Sequence, residues 1–89
     1  MDLRELEYFT VIAQEGNLTH AAERLYVSQP TLSKFLQRLE QENGTPLLQH
    51  NGKSMSLTYA GRRYLSYAER MLALKRELDN EMAGIRKQD

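Results

Sequence analysis

Apolar residues recur along this chain with two different periods, and the change from one to the other marks its organisation. Leu3, Leu6, Phe9, Ile12 and Ala13 fall at spacings of three and one, laying an apolar stripe on a helix that stops at Gly16-Asn17. Leu18, Ala21, Ala22 and Leu25 repeat i, i+3, i+4, i+7 over a shorter second helix, 18–26, capped by Asn17 or Thr19. The Ala21-Ala22 pair lets a neighbouring backbone approach closely. Ser28 opens a third helix, 29–43, with Leu32, Phe35, Leu36 and Leu39 on one face and Asn43-Gly44 at its end. Pro30 sits in its first turn, where no N–H is needed.

Between residues 45 and 58 the period falls to two. Leu47-Leu48-Gln49-His50 and Ser54-Met55-Ser56-Leu57-Thr58 flank Asn51-Gly52, which predicts a small two-stranded hairpin with a tight turn at that dipeptide. From Thr58, a candidate N-cap, a helical pattern without proline continues to about residue 86. Leu57, Tyr64, Met71, Leu78 and Ile85 lie seven apart, with Ala60, Tyr67 and Leu74 as a companion seam that Glu81 breaks. At 1.5 Å per residue such a helix is roughly 42 Å long. The first turns of its stripe cover the preceding helices, but the rest of the chain is too small to cover the remainder. Met71, Leu74, Leu78, Met82 and Ile85 are therefore expected to meet a partner, most simply the same helix of a second copy across a two-fold axis.

Length and composition narrow the possibilities. Eighty-nine residues, 40% apolar and 27% charged, form one small globular unit with little room for a deep substrate cleft. Without cysteine there is no disulfide framework, thiolate metal site or thiol nucleophile. His20 and His50, thirty residues apart, do not make a metal site, and no cofactor is expected in this chain. Glycine-rich phosphate loops, nucleophile elbows and paired carboxylates in apolar surroundings are missing from the sequence, so an enzyme is not expected. No apolar run approaches the 20 or so residues needed to cross a bilayer, and no membrane partner is expected. Nor does Met1-Asp2-Leu3-Arg4 have the pattern of a secretory signal. The expected location is the cytoplasm.

The net charge of zero conceals an uneven distribution. Residues 1–27 carry two Lys or Arg against five Asp or Glu, residues 28–64 carry five against two, and residues 65–89 carry five of each. The basic middle coincides with the third helix and the hairpin. Two short helices joined by a turn of about three residues, then a hairpin, predict a winged helix-turn-helix. In that architecture the amino end of the second helix of the pair enters the major groove of DNA. Here it carries Ser28, Gln29, Pro30, Thr31, Ser33 and Lys34. A glutamine amide pairs bidentately with adenine, hydroxyls donate or accept, and the carbons of Pro and Thr suit a thymine methyl. Lys34 and Arg38, one turn apart, are placed to neutralise phosphates, as are Lys53 at the hairpin tip and Arg62 in the first turn of the long helix.

These residues also carry a family resemblance. Thr10-Val11-Ile12-Ala13, Asn17-Leu18-Thr19-His20-Ala21-Ala22-Glu23-Arg24-Leu25, Val27-Ser28-Gln29-Pro30-Thr31-Leu32-Ser33-Lys34, Arg38-Leu39-Glu40 and Leu57-Thr58-Tyr59-Ala60-Gly61 resemble the N-terminal region of a LysR-type transcriptional regulator, across residues 3–65. The resemblance implies a mainly α fold with a small β-hairpin. A winged helix-turn-helix DNA-binding domain at 1–58 would precede a linker and dimerisation helix at 59–89. It implies that Gln29, Pro30 and Ser33 face bases, that Thr31 and Lys34 lie against bases or the sugar-phosphate backbone, and that Lys53 serves the wing. The residues taken together lead us to expect base reading by Gln29, Pro30, Thr31 and Ser33 and backbone contacts by Thr19, Ser28, Lys34, Arg38, Lys53 and Arg62. The expected partners are double-stranded DNA carrying an inverted repeat and a second copy of the chain, with tetramers in a full-length parent. A small-molecule effector would act only through a C-terminal domain absent from this sequence; the chain itself is a fragment of such a regulator or a stand-alone protein.

Phe35 and His50 depart from the family's usual residues. Phe35 is expected to pack against the long helix or to lie exposed near DNA. The basic side chains have a blander reading as solvated surface, with Arg38 or Arg63 paired to Glu40 or Glu69. The competing function is a winged-helix protein-interaction module that does not bind DNA.

Overall fold

The computed structural model describes residues 2–88; Met1 and Asp89, the outermost residues of the two segments expected from the sequence, lie outside the described residues. Four helices and one hairpin follow in the order α1 (Leu3–Glu15), α2 (Leu18–Leu25), α3 (Gln29–Asn43), β1 (Leu48–Asn51), β2 (Ser54–Leu57) and α4 (Tyr59–Gln88). Every helix begins on a side-chain oxygen that accepts an N–H three residues on. Asp2 accepts from Glu5 (3.0 Å), Asn17 from His20 (2.9 Å), Ser28 from Thr31 (3.2 Å) and Thr58 from Gly61 (2.9 Å). Of the two candidate caps for α2, Asn17 fills the position.

The helix ends are equally local. α1 and α3 stop at Gly16 and Gly44, both left-handed. α2 stops one residue earlier than the periodicity suggested, because Tyr26 takes the left-handed conformation (φ 58°). The Val27 N–H then donates to Ala22 O at 3.1 Å and the Tyr26 N–H to Glu23 O at 3.3 Å, closing the turn between α2 and α3. The Tyr26 side chain gains nothing from packing, since it is 95% exposed.

The core gathers Phe9 and Ile12 of α1, Ala21 and Ala22 of α2, Leu32, Phe35, Leu36 and Leu39 of α3, and Leu47, Leu48 and Met55 of the hairpin region. Phe35 is buried, not exposed, and its aromatic partner lies on α1 rather than on the long helix: its ring meets Tyr8 edge-on at 5.3 Å. The first turns of α4 close the core from the other side. Tyr64 meets Phe9 at 4.8 Å, again edge-on, and Ala68 is fully buried.

The hairpin pairs Leu48 with Leu57 and Asn51 with Ser54, so its central turn residues are Gly52 and Lys53. The sequence placed the turn one residue earlier. Asn51 belongs to the strand, where its amide donates to Ser56 Oγ (2.8 Å), and only Gly52 needs positive φ (67°). Four anchors hold this wing to the helices. Glu40 Oε2 of α3 accepts the N–H of Leu47 (2.7 Å) and of Leu48 (3.2 Å), and Gly16 O accepts that of Met55 (2.9 Å). Thr58 donates its N–H to Leu47 O and its hydroxyl to Pro46 O. The Asn17 amide donates to Lys53 O at 3.3 Å.

From Leu74 to Met82 every residue of α4 is exposed, and the helix stretches the molecule to 54 × 26 × 19 Å. No helix among the described residues is long and apolar enough to cross a membrane.

Candidate nucleic-acid interface

The amino end of α3 is the part of the surface where the sequence concentrated its chemistry, and it is open to solvent. Gln29, Pro30, Thr31 and Lys34 are exposed and Ser33 is half-buried. Leu32, Phe35, Leu36 and Leu39 hold the opposite face of the helix in the core, which fixes the outward direction of Pro30 and Lys34. Ser28 caps the helix, and its hydroxyl also donates to Thr31 Oγ1 at 2.7 Å. The two hydroxyls are thus coupled at the tip.

The wing folds back beside this tip. Thr19 at the start of α2, Gln29 at the start of α3, and His50 and Lys53 of the hairpin line one shallow groove of about 290 Å³, floored by Leu18 and Met55. Residues more than thirty positions apart thereby converge on one edge, and a helix amino terminus contributes its own positive end there. The Asn17–Lys53 hydrogen bond ties the wing tip to the start of α2. Arg62 stands apart in the first turn of α4, its guanidinium 5.7 Å from the Tyr59 ring centroid.

Arg38 behaves differently from Lys34. Its Nη1 lies 2.9 Å from Glu5 Oε1 of α1 and 2.9 Å from Glu42 Oε1, one turn on along α3. These two carboxylates raise the guanidinium pKa further above its ordinary value. The pairing with Glu40 suggested by proximity in sequence does not form, because that carboxylate is committed to the wing. Arg63 stacks over Tyr67 at 5.5 Å rather than pairing with Glu69. Arg24, on the surface of α2, bonds Gln14 and Glu15 of α1.

Gln37 and Arg4, near these surfaces, escaped the sequence reading, and Leu3 enters it only as part of the first helix's apolar stripe. Gln37 is exposed and lies seven residues after Pro30, so helical spacing alone was a sufficient signal for it. Arg4 lines a cleft of about 420 Å³ between α1 and α3 together with Thr31, Lys34 and Arg38. Only the packing of the two helices brings it there. Leu3 joins Met71, Leu74 and Leu78 along an apolar groove of about 520 Å³ on α4.

A helix-turn-helix with its second helix exposed at the amino end, and a hairpin wing alongside, defines a class of DNA-binding domain. Residues 3–62 match the model of the bacterial regulatory helix-turn-helix proteins of the lysR family, and the chain belongs to that family. It is 46% identical over 72 residues (81% of this chain) to a probable cat1 operon transcriptional activator of Acinetobacter lwoffii. It is 44% identical over 85 residues (96% of this chain) to the HTH-type transcriptional regulator BudR of Raoultella terrigena. The chain spans only 24% and 29% of those two proteins. These relatives are regulators of transcription, not enzymes.

Among solved structures, the BenM DNA-binding domain in complex with benA site 1 DNA superposes with a TM-score of 0.89 at 33% identity, covering 96% of this chain and 99% of that one. The CbnR DNA-binding domain in its DNA complex gives 0.84 at 40% identity, with the same coverage. The mainly α fold, the hairpin and the long C-terminal helix are common to them and to this chain, which is a winged helix-turn-helix DNA-binding domain of the lysR family.

Proposed function

We propose that this chain reads double-stranded DNA by sequence as the DNA-binding portion, 1–58, of a transcriptional regulator in the bacterial cytoplasm, and that the segment 59–89 pairs it with a second copy. The amino end of α3 enters the major groove, with Gln29, Pro30, Thr31 and Ser33 toward base edges. Thr19, Ser28, Lys34, Lys53 and Arg62 face phosphates, and the wing follows the backbone or minor groove. The observation that carries this reading is the convergence of Thr19, Gln29, His50 and Lys53 on one groove beside an exposed helix tip. Two solved relatives of the same fold, bound to DNA, favour it over docking of a protein partner.

The dimer reading draws support from α4. Met71, Leu74, Leu78, Met82 and Ile85 are 37–65% exposed along one face. An antiparallel pairing of two such helices is self-complementary. Met71 meets Leu78, Tyr67 meets Met82, and Leu74 meets its own copy, all about one axis near residues 74–75. Paired copies suit an inverted repeat. Further assembly to a tetramer, and an effector acting through an additional C-terminal domain of a longer parent, belong to the same proposal.

The test is a binding series on duplexes selected from a random pool and on random DNA, against salt. Gln29→Ala is expected to cost about 1–3 kcal/mol on the selected sequence and little on random DNA. Lys34→Ala is expected to weaken both alike and to flatten the log–log salt dependence by about 0.9. Equal losses on both duplexes from Gln29→Ala would remove the base-reading role.

A further inference from the structure

Three cations line the cleft between α1 and α3: Arg4, Lys34 and Arg38. Arg4 and Lys34 form no ion pair among the described residues, whereas Arg38 forms two, to Glu5 and Glu42, through a single nitrogen. Glu5 is the better anchored partner, its side chain only 17% exposed, while Arg38 itself is about half exposed. The Phe35 ring lies beneath the guanidinium at 5.8 Å, and Tyr8 packs against that ring from α1. Arg38 sits one turn beyond Lys34 on the recognition helix, close to where a phosphate contact would be made. It is nevertheless held toward α1 by two carboxylates and an aromatic face.

We propose that Glu5 and Glu42 act as an acidic clamp that withholds Arg38 from the DNA backbone and thereby limits the sequence-independent part of the domain's affinity. This rests on the DNA-binding reading above. A phosphate contact strengthens binding to every duplex equally and adds nothing to discrimination. A cation already paired with two carboxylates makes no new phosphate contact, so the clamp lowers the affinity for every duplex alike and leaves the ratio of selected to random affinity unchanged. Glu5 and Glu42 are positioning residues in this scheme, acting on DNA only through Arg38.

The test is a cycle of four proteins: wild type, R38Q, E5Q/E42Q and E5Q/R38Q/E42Q, each confirmed as folded by circular dichroism and thermal unfolding. Binding to random and selected duplexes is then measured from low to moderate salt. In the wild-type background R38Q is expected to leave the salt slope unchanged. In the E5Q/E42Q background Arg38 is free, so that protein should bind random DNA about threefold or more tightly at low salt. Its slope should be steeper by about 0.9, and R38Q should remove that increment. A merely structural role for the cluster would move the melting temperature and leave these slopes alone.

R38Q flattening the slope equally in both backgrounds would show that Arg38 already touches phosphate, and would overturn the clamp. So would no effect of R38Q in either background. Failure of the wild type itself to bind DNA in a salt-dependent way would instead sink the underlying reading.

Discussion

Gly61 shows how much one missing methyl group decides. In the first turn of a long helix alanine would ordinarily be favoured over glycine by about 1 kcal/mol. A Cβ built at this position would lie 2.0 Å from Leu47 O, backbone against backbone, with no flexible side chain to yield. Gly61→Ala is therefore expected to destabilise by about 3 kcal/mol or more in chemical denaturation, the overpacking outweighing the gain in propensity. Tyr64 makes a second residue-scale statement. Its hydroxyl pKa is raised from 10.0, first by burial and then by the nearby Glu5 and Glu42 carboxylates. A phenol whose folded pKa exceeds its unfolded one supports the fold below about pH 10 and loses that support as pH rises through the folded value. Tyr64→Phe keeps the ring against Phe9. It is expected to show a shallower fall in thermal stability above pH 10 than the wild type.

Secondary-structure elements owe their joints to a few polar groups. The wing is only eight paired residues, too few to stand alone, and depends on what α3, α1 and α4 offer it. Glu40 is the chief of these, because its carboxylate accepts the N–H groups of both Leu47 and Leu48, two buried residues. Glu40→Ala leaves both donors unsatisfied and is expected to cost about 2–3 kcal/mol. Amide exchange at Leu47 and Leu48 should accelerate, while that in the middle of α1 follows only the global loss. At this scale the sequence was readable where signals were local: caps, glycine ends and apolar stripes placed α1, α3 and the start of α4 correctly. It misjudged the hairpin turn by one residue, because Asn-Gly and Gly-Lys are both acceptable two-residue turns. In the register that forms, Leu48 lies opposite Leu57, so that two apolar side chains meet at the base of the hairpin. The end of α2 likewise turned on a tyrosine in a conformation that composition gives no reason to expect.

At the scale of the whole molecule, the exposed seam of α4 sets the balance between one copy and two. Leu78→Glu places a charge opposite Met71 of the partner subunit in the proposed antiparallel pairing. It is expected to weaken the dimer by about 3 kcal/mol, roughly a hundredfold in dissociation constant, as read by sedimentation equilibrium. Binding to an inverted repeat should fall with it, whereas binding to a single half-site should not. If Leu78→Glu sediments like the wild type, the seam has another occupant. The sequence alone determined the order of elements, the exposed polar tip of α3 and the stripe left over on α4. Each of these follows from the spacing of neighbouring residues along one backbone. Only the tertiary structure decided that Arg38 is held by Glu5 and Glu42, that Phe35 packs on Tyr8, and that Glu40 supports the wing. It alone brought Arg4 beside Lys34, and Thr19 beside His50 and Lys53. Those pairings depend on which helix faces come together, and spacing along a chain says which residues share a face but not what that face will meet.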